Sequence, residues 1–274
     1  MRTVALVTDS STCLPAALIE TFGINVLPIS AYLPDEHFVL EPAGGPPFSE
    51  AAELEELSAA NRPFVTEYLA AVEENGCDTA VVVTPAIEFA AMYRNACLAA
   101  ELATRPTVAI DARTAAAGQA LVVLAGAAVA ARGGDLAEVV AAVEDATRRV
   151  ELVASLANLD PLRRSGPVPD SVLGAGGLDG ARSVFRMCDG TIEPLGEAAD
   201  AESTLETIRA AFVASTPGGV ERSTVFHAGA PELAHRLEEL LGGVDFVSGF
   251  SAAMQIHTGA GVVGAAWLPA RADG

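Results

Sequence analysis

The sequence predicts an α/β protein of two domains, a Rossmann-like domain with a mainly parallel sheet followed by a second α/β domain with a mixed sheet. In the first half, short apolar runs alternate with longer helical patterns, and near residues 150–165 the composition changes before a second set of elements begins. A chain of 274 residues is long enough for two compact cores. We expect an N-terminal domain over residues 1–155 and a C-terminal domain over 156–274.

The first half supplies the strands and helices of the parallel sheet. Its runs read, in order, TVALVTD, PAALIETFG, INVLPISAYL, PFVTEYLAAVEENG, TAVVVTP, FAAMYRNACLAAELA and TVAIDA. Ligands of such sheets bind beyond the carboxyl ends of the strands, which here are the loops 8–12, 84–88 and 111–118.

Two helices are predicted next, over about 115–132 and 134–148, with Asp135 as the N-cap of the second. The first is rich in alanine and continues into an amphipathic charged pattern, which favours a buried core helix over a membrane span.

The second half begins with a segment rich in Gly, Pro and Ser at 165–181. The stretch SVFRMCDGTIEPLG after it predicts a hairpin with an Asp-Gly turn. The remaining helices and strands are predicted in TLETIRAAFVAS, STVFHAG, APELAHRLEELLGG and GAGVVGAAWLP.

The charge balance excludes one class of partner. With 36 acidic and 16 basic side chains, the formal net charge is −20, which repels nucleic acid and anionic membrane surfaces. The carboxylates are spread along helical faces, as in EAAELEEL, and this is typical of a solvated surface. We therefore expect no nucleic-acid partner.

Cysteine spacing and hydropathy suggest the compartment. The four cysteines have no CxxC spacing, which argues against a metal site and against a dense disulfide framework. No apolar run reaches the roughly 20 residues of a membrane span, and the N-terminal run is too short for a signal peptide. We expect a cytoplasmic protein with reduced thiols, no metal, no cofactor and no integral membrane segment.

Seven stretches in a particular order carry a family resemblance. They are VTDSSTCLP, INVLPI, AIDARTAAAGQALVV, LANLDPLRRSG, RSVFRMCDGTIEPLG, VFHAGAPELAHRL and IHTGAGVVGAAW. Together they resemble the DegV family of fatty-acid-binding proteins over nearly the whole chain. The last stretch is similar to the family's His-Thr-Gly-Pro-Gly signature, with Ala260 in place of proline.

The resemblance implies a protein that sequesters one long-chain fatty acid between two domains and presents its carboxylate to a separate ATP-dependent fatty-acid kinase. Such a protein does no chemistry itself, so no catalytic residue and no cofactor is expected, and a monomer suits the handover. Burying about 15 methylenes at roughly 0.8 kcal/mol each offers on the order of 12 kcal/mol before ordering costs. The carboxylate then needs donors, because an unpaired charge in an apolar cleft is very costly.

The candidate ligand-binding residues follow from that mapping: His257, Thr258, Asn61, Thr84 and Ser10. Each has a structural alternative. The histidine could bond a backbone carbonyl, the asparagine could cap a helix, and Thr84 and Ser10 could shape a strand end and a turn.

The sequence departs from the family pattern at the head group. Ala60 and Ala90 replace a threonine and a serine, which removes two hydroxyl donors. An alternative function is therefore a divergent member that has lost fatty-acid binding and acts as an interaction or regulatory protein, or binds a different lipid.

An enzyme with Asp9, Ser10 and His257 as a hydrolytic triad is disfavoured because no G-x-S-x-G elbow is present. Phosphate-binding loops of nucleotide enzymes are absent from the sequence as well.

Overall fold

The computed structural model describes residues 3–32, 38–40, 59–61, 63–87, 92–157 and 182–271, and this part of the chain is a mixed α/β fold. The strands are β1 (Val4–Asp9), β2 (Asn25–Leu27), β3 (Ser30–Tyr32), β4 (Phe38–Leu40), β5 (Ala59–Asn61), β6 (Thr79–Thr84), β7 (Thr107–Asp111), β8 (Glu151–Leu156), β9 (Arg182–Cys188), β10 (Thr191–Ala198), β11 (Val220–His227), β12 (Phe246–Gly249) and β13 (Val263–Pro269). The helices are α1 (Ala16–Phe22), α2 (Val65–Glu74), α3 (Met92–Leu102), α4 (Ala116–Ala131), α5 (Leu136–Arg149), α6 (Ala201–Ser215), α7 (Pro231–Leu241) and α8 (Ala252–Thr258).

The first sheet is parallel throughout, with the order β2-β1-β6-β7. Its central strands β1 and β6 are buried along almost their whole length, as strands covered on both faces must be. One face packs on α2 and α3 through Tyr68, Val72, Ala96 and their neighbours. The alternation of short strands and helices in the sequence predicted this sheet, and the prediction is confirmed.

The second sheet has six strands in the order β10-β9-β8-β13-β11-β12. Only β11 and β12 pair in parallel, and the other neighbours are antiparallel, so this sheet is mixed. Its outer face packs on α6 and α7 around the buried Trp267. The predicted Asp189–Gly190 hairpin joins β9 to β10, with both residues at positive φ, as a two-residue turn of this kind requires. The predicted two-domain α/β fold class is therefore confirmed.

Helices α4 and α5 form a layer between the two large sheets. Helix α4 contacts β1 and β6 on one side and β8, β11 and β13 on the other, and α5 contacts β6, β7 and β13. The largest apolar core runs through this layer from the first sheet to the second. Because α4 meets protein on both sides, it is apolar all round, and its predicted role as a buried alanine-rich helix is confirmed.

The predicted N-cap of α5 is confirmed. Asp135 accepts a hydrogen bond from the amide of Glu138 at 2.9 Å, and the Glu138 carboxylate accepts one from the amide of Asp135 at 2.9 Å. This reciprocal arrangement is a capping box, and it satisfies two amides that the helix leaves unpaired.

One apolar run is divided differently from the prediction. The stretch INVLPISAYL forms β2 in the parallel sheet and then β3 in a small antiparallel sheet of order β4-β3-β5. Pro28 lies between the two strands and has no amide hydrogen for a ladder, which ends β2.

Strand β8 is part of the six-stranded sheet over all of Glu151–Leu156. The expected boundary between residues 155 and 156 falls inside this strand, and the division into domains stays a prediction. The segment 165–181 lies outside the described residues. No helix in the described ranges is long and apolar enough to cross a membrane.

Candidate functional site

Three loops meet at the carboxyl edge of the parallel sheet, as the sequence predicted. The amide of Ala112, just after β7, donates to the carbonyl of Thr84 at 3.0 Å. The amide of Ala86, just after β6, donates to the carbonyl of Thr114 at 2.8 Å. These bonds join the loops after β6 and β7, and β1 pairs in parallel with β6, so the loops after β1, β6 and β7 form one polar rim above the sheet.

A buried network joins this rim to the central helix α4. The side-chain amide of Gln119 donates to the hydroxyl of Thr8 at 3.0 Å and to the carboxylate of Asp9 at 3.3 Å. The hydroxyl of Ser11 is shared between the Gln119 carbonyl oxygen, 3.0 Å away, and Asp9, which also accepts the Ser11 amide at 3.0 Å. The carboxylate is thus completely buried but held by several donors.

Burial also sets the electrostatics of this network. Loss of solvent raises the pKa of Asp9, and its hydrogen bonds from Ser11 and Gln119 only partly oppose that rise. The pKa of the Tyr68 hydroxyl on α2 is raised well above its ordinary value, first by burial and then by the nearby Asp9 charge. A tyrosine and an aspartate therefore share the same buried region on the α2 side of the sheet.

Two hydroxyls in that region have no hydrogen-bond partner among the described residues. They belong to Thr84, at the end of β6, and to Tyr68, and both residues are fully buried. Thr84 follows Val82 by two positions, so its side chain points to the face that carries Val82 and Tyr68. A buried hydroxyl without a partner costs roughly 1–3 kcal/mol, and a ligand could satisfy it.

Ser10 lies in a short 3₁₀ turn directly after β1. Its hydroxyl oxygen accepts a hydrogen bond from the amide of Ile29 at 2.8 Å, which ties the loop before β3 to the rim. No acceptor for the Ser10 hydroxyl proton is present among the described residues, so the proton is available to donate.

His257 and Thr258 end helix α8. His257 is half-buried. The Thr258 hydroxyl donates to the carbonyl of Met254 at 2.9 Å, within the same helix, so its proton is already used. Gly259 follows with φ 75° and ψ 170°, a backbone conformation that essentially only glycine adopts.

Helix α8 brings several predicted positions together. It lies against β3 and against β5, the strand that ends at Asn61. Its Ala253 forms a small buried apolar cluster with Ile29, the residue bonded to Ser10, and with Met92 at the start of α3. The elements carrying Ser10, Asn61 and His257 therefore converge, whereas the side chain of Asn61 and residue Ala90 lie outside the described residues. Thr84 lies on the same sheet edge as Ser10.

Sequence reasoning missed two polar residues near this place. Gln119 is the one amide in the apolar stretch AAAGQALVV, and that isolation was the available signal. Arg182, at the start of β9, donates to the carbonyl of Gly261 and to the hydroxyl of Ser155 at 3.3 Å. Arg182 begins the stretch RSVFRMCDGTIEPLG that carries part of the family resemblance, but its contact with Gly261 could not be predicted, because it depends on the pairing of β9 with β8 and of β8 with β13.

The geometry also bears on the triad considered from the sequence. The carboxylate of Asp9 is bonded to Ser11 and Gln119, and the hydroxyl of Ser10 is bonded to the amide of Ile29. In a hydrolytic triad the acid orients the histidine and the histidine receives the serine proton. The contacts given for Asp9 do not orient a histidine, and the contact given for Ser10 does not pass its proton to one. Within the described ranges, no group of three metal-ligating side chains is close enough to hold an ion.

Comparisons with known proteins agree on the family. A family model described as an uncharacterised protein of the DegV family matches residues 3–270. A DegV domain-containing protein of Streptomyces coelicolor is 29% identical over 286 residues, covering 96% of this chain and 97% of that protein. One from Mycobacterium tuberculosis is 29% identical over 285 residues, covering 96% of each.

Solved structures agree on the fold. A fatty-acid-binding DegV family protein from Thermus thermophilus has a TM-score of 0.82 at 23% identity, covering 98% of this chain and 100% of that one. A stearic-acid-binding protein from Eubacterium ventriosum has a TM-score of 0.82 at 18% identity, covering 98% of each chain. DegV of Bacillus subtilis, a fatty-acid-binding protein, has a TM-score of 0.82 at 18% identity, covering 98% and 100%. With the family model matching almost the entire length, this chain belongs to the DegV family.

Proposed function

We propose that this protein binds one long-chain fatty acid, with the acyl chain in apolar surroundings beside the carboxyl edge of the parallel sheet and the carboxylate near the end of α8. The observation that carries the proposal is the packing of Ala253 on Ile29 and Met92, which sets α8 against the rim of the parallel sheet. These three contact residues are apolar, while donors flank them, and this combination suits an amphipathic ligand.

The available donors support a carboxylate as the polar group. The Ser10 proton has no acceptor and the Thr84 hydroxyl has no partner among the described residues. The imidazole of His257 donates to the carboxylate in this proposal, and Asn61 adds an amide that replaces part of what Ala60 and Ala90 no longer supply. Thr258 contributes through its oxygen or backbone, since its hydroxyl proton is bonded to Met254.

Relatives support the choice of ligand. Structures of the same fold are described as fatty-acid-binding proteins from Thermus thermophilus and Bacillus subtilis, and one from Eubacterium ventriosum as binding stearic acid. We infer that the present chain does no chemistry on its ligand and works in the cytoplasm as a monomer that presents the carboxylate to an ATP-dependent fatty-acid kinase.

Native mass spectrometry of the gently purified protein tests the binding proposal. We expect an adduct of one fatty acid, released on denaturation, and rebinding of palmitate by the delipidated protein in a titration. A protein that carries no lipid and refuses palmitate would overturn the proposal and favour the alternative of an interaction or regulatory protein. A lipid without a free carboxylate would point to a different ligand class.

The handover has a separate test. Palmitate-loaded protein is mixed with a purified bacterial fatty-acid kinase and ATP, and acyl phosphate is measured. Formation of acyl phosphate only when the loaded protein is present supports the presentation of the carboxylate. No product above the rate with free palmitate would reject that part of the proposal and leave binding intact.

A further inference from the structure

Arg182 lies where three strands of the six-stranded sheet come together. It is the first residue of β9, which pairs with β8, and β8 pairs on its other side with β13. Its guanidinium donates to the carbonyl of Gly261 through Nη2 and to the hydroxyl of Ser155 through Nε at 3.3 Å. The side chain is half-buried.

The partners of Arg182 are neutral, unlike those of its neighbour on the same strand. Arg186 is ion-paired with the carboxylate of Glu151, whereas no carboxylate lies at ion-pair distance from Arg182 among the described residues. Burial lowers the pKa of Arg182. A guanidinium stays charged at neutral pH, and no carboxylate of the described residues balances the Arg182 charge, although the protein has a net charge of −20.

This charge lies beside the loop that follows α8. His257 lies in the last turn of α8, and the loop after the helix reaches Gly261, whose carbonyl accepts a hydrogen bond from Arg182 and whose amide donates to the carbonyl of Ala228 at 2.7 Å. Gly261 has φ 83°, and an added Cβ would lie 3.2 Å from the Cβ of Ala157, so the backbone is close to the end of β8. The His257 imidazole is thus at the start of the segment 257–261, and the Arg182 guanidinium is bonded to the residue at its end.

We propose that Arg182 balances the negative charge of the bound head group and so makes the site selective for an anionic lipid over a neutral one of the same chain length. This inference rests on the proposed function, since it assigns a specificity residue to that site. The guanidinium has five N–H donors in a planar fork, and the two contacts with Ser155 and Gly261 leave others for a carboxylate.

The test compares palmitate with hexadecan-1-ol, which has the same chain length and no charge. Affinities for both are measured on delipidated wild-type protein, Arg182→Gln, Arg182→Lys and Arg209→Gln. Arg209 lies on α6 with 44% of its side chain exposed, so its variant matches the loss of one charge away from the site. We expect Arg182→Gln to weaken palmitate binding about 10- to 100-fold and to leave hexadecan-1-ol unchanged, with Arg182→Lys in between.

The melting temperature of each variant is measured to detect a folding defect. If Arg182→Gln does not fold, Arg182→Lys still tests the role of Arg182. Equal palmitate affinity in wild type and both variants would overturn the role of Arg182, as would an equal loss for the acid and the alcohol. If Arg209→Gln weakens palmitate binding as much as Arg182→Gln, the effect comes from net charge and the inference fails. A wild-type protein that binds neither ligand refutes the proposed function itself.

Discussion

The Nε atom of Arg113 lies 3.1 Å from a carboxylate oxygen of Asp189, and this ion pair joins the two large sheets at their surface. Arg113 follows β7 of the parallel sheet, and Asp189 is in the turn between β9 and β10. The Arg113 guanidinium also donates to the Asp189 carbonyl at 2.7 Å, and the amide of Gly190 donates to the Arg113 carbonyl at 2.8 Å. An ion pair and two hydrogen bonds to backbone carbonyls therefore join the loop after β7 to the turn between β9 and β10.

Asp189→Asn should lower the free energy of unfolding by less than about 1 kcal/mol, because half of each side chain is exposed and solvent screens the pair. Asparagine tolerates the positive φ of this turn position, so the variant removes the charge without adding backbone strain. Chemical denaturation in low and high salt measures the effect, which should shrink in high salt. Glu206→Gln, which breaks an exposed pair within α6, is the control, and a loss well above 1 kcal/mol at Asp189 would contradict the assignment.

Gly261→Ala should destabilise the protein by about 1–3 kcal/mol. The residue has φ 83°, which disfavours a side chain, and the new Cβ would lie only 3.2 Å from that of Ala157. Thermal unfolding checks this result against Gly218→Ala, where nothing lies within 4 Å of the added Cβ. Equal stability of the two variants would show that the loop at Gly261 adapts to a side chain.

Asp9 should make stability depend on pH in a defined direction. Burial raises its pKa in the folded protein, so over the acid range the folded state keeps a proton that the unfolded state has lost. Stability from this group is therefore present at low pH and falls as pH rises through that window. Asp9→Asn removes the effect.

Urea unfolding of the wild type and of Asp9→Asn between about pH 4 and pH 7 measures the contribution of Asp9 as the difference between their free energies of unfolding. The free energy of unfolding of the wild type minus that of Asp9→Asn should decrease as pH rises. An increase would mean that the hydrogen bonds from Ser11 and Gln119 outweigh burial, and that the pKa of Asp9 is lowered instead.

His257→Ala should weaken palmitate binding about 10- to 100-fold, the loss typical of a hydrogen bond to a charged group. His235→Ala on α7 is the control, since that histidine is exposed and lies in a helix that packs on the outer face of the six-stranded sheet. Isothermal titration of delipidated proteins gives both affinities. An unchanged affinity in His257→Ala would remove this residue from the head-group site.

Thr84→Val tests whether the Thr84 hydroxyl donates a hydrogen bond to the ligand or has only a structural role. Since the hydroxyl of Thr84 is buried without a partner among the described residues, replacing it by a methyl should stabilise the free protein by up to about 1 kcal/mol. Palmitate binding should nevertheless weaken about tenfold. Thr147→Val on α5 removes another buried hydroxyl that has no partner among the described residues, and it should stabilise the protein without affecting binding. Equal binding in both variants would argue that Thr84 is only structural.

Local patterns predicted most of the fold because each large element has its own signal. The short apolar strands β1, β6 and β7, the N-cap Asp135 and the Asp189–Gly190 turn could all be read from neighbouring residues. The small sheet of β3, β4 and β5 could not be predicted, because a strand of three residues is too short to show the alternation of inward and outward side chains. The division of INVLPISAYL between two sheets depends on distant partners.

The candidate site was predictable only in part for the same reason. The motif at 257–261 indicated a functional loop, and the carboxyl ends of the strands indicated where a ligand would lie. The contacts of Gln119 with Asp9 and of Arg182 with Gly261 span 110 and 79 residues of sequence. Such pairings arise from the packing of α4 and β9, and no local spacing encodes them.

The helix layer between the two large sheets has a thermodynamic consequence. Neither sheet can separate from α4 and α5 without exposing an apolar face of this layer, because one continuous core runs through the layer from sheet to sheet. The described fold is therefore expected to behave as one cooperative unit, and a wide swing of one sheet away from the other would cost a large part of the total stability. If the proposed fatty acid binds near α8, we expect it to enter through local opening at the periphery, where this short helix meets three-residue strands and few apolar contacts have to break.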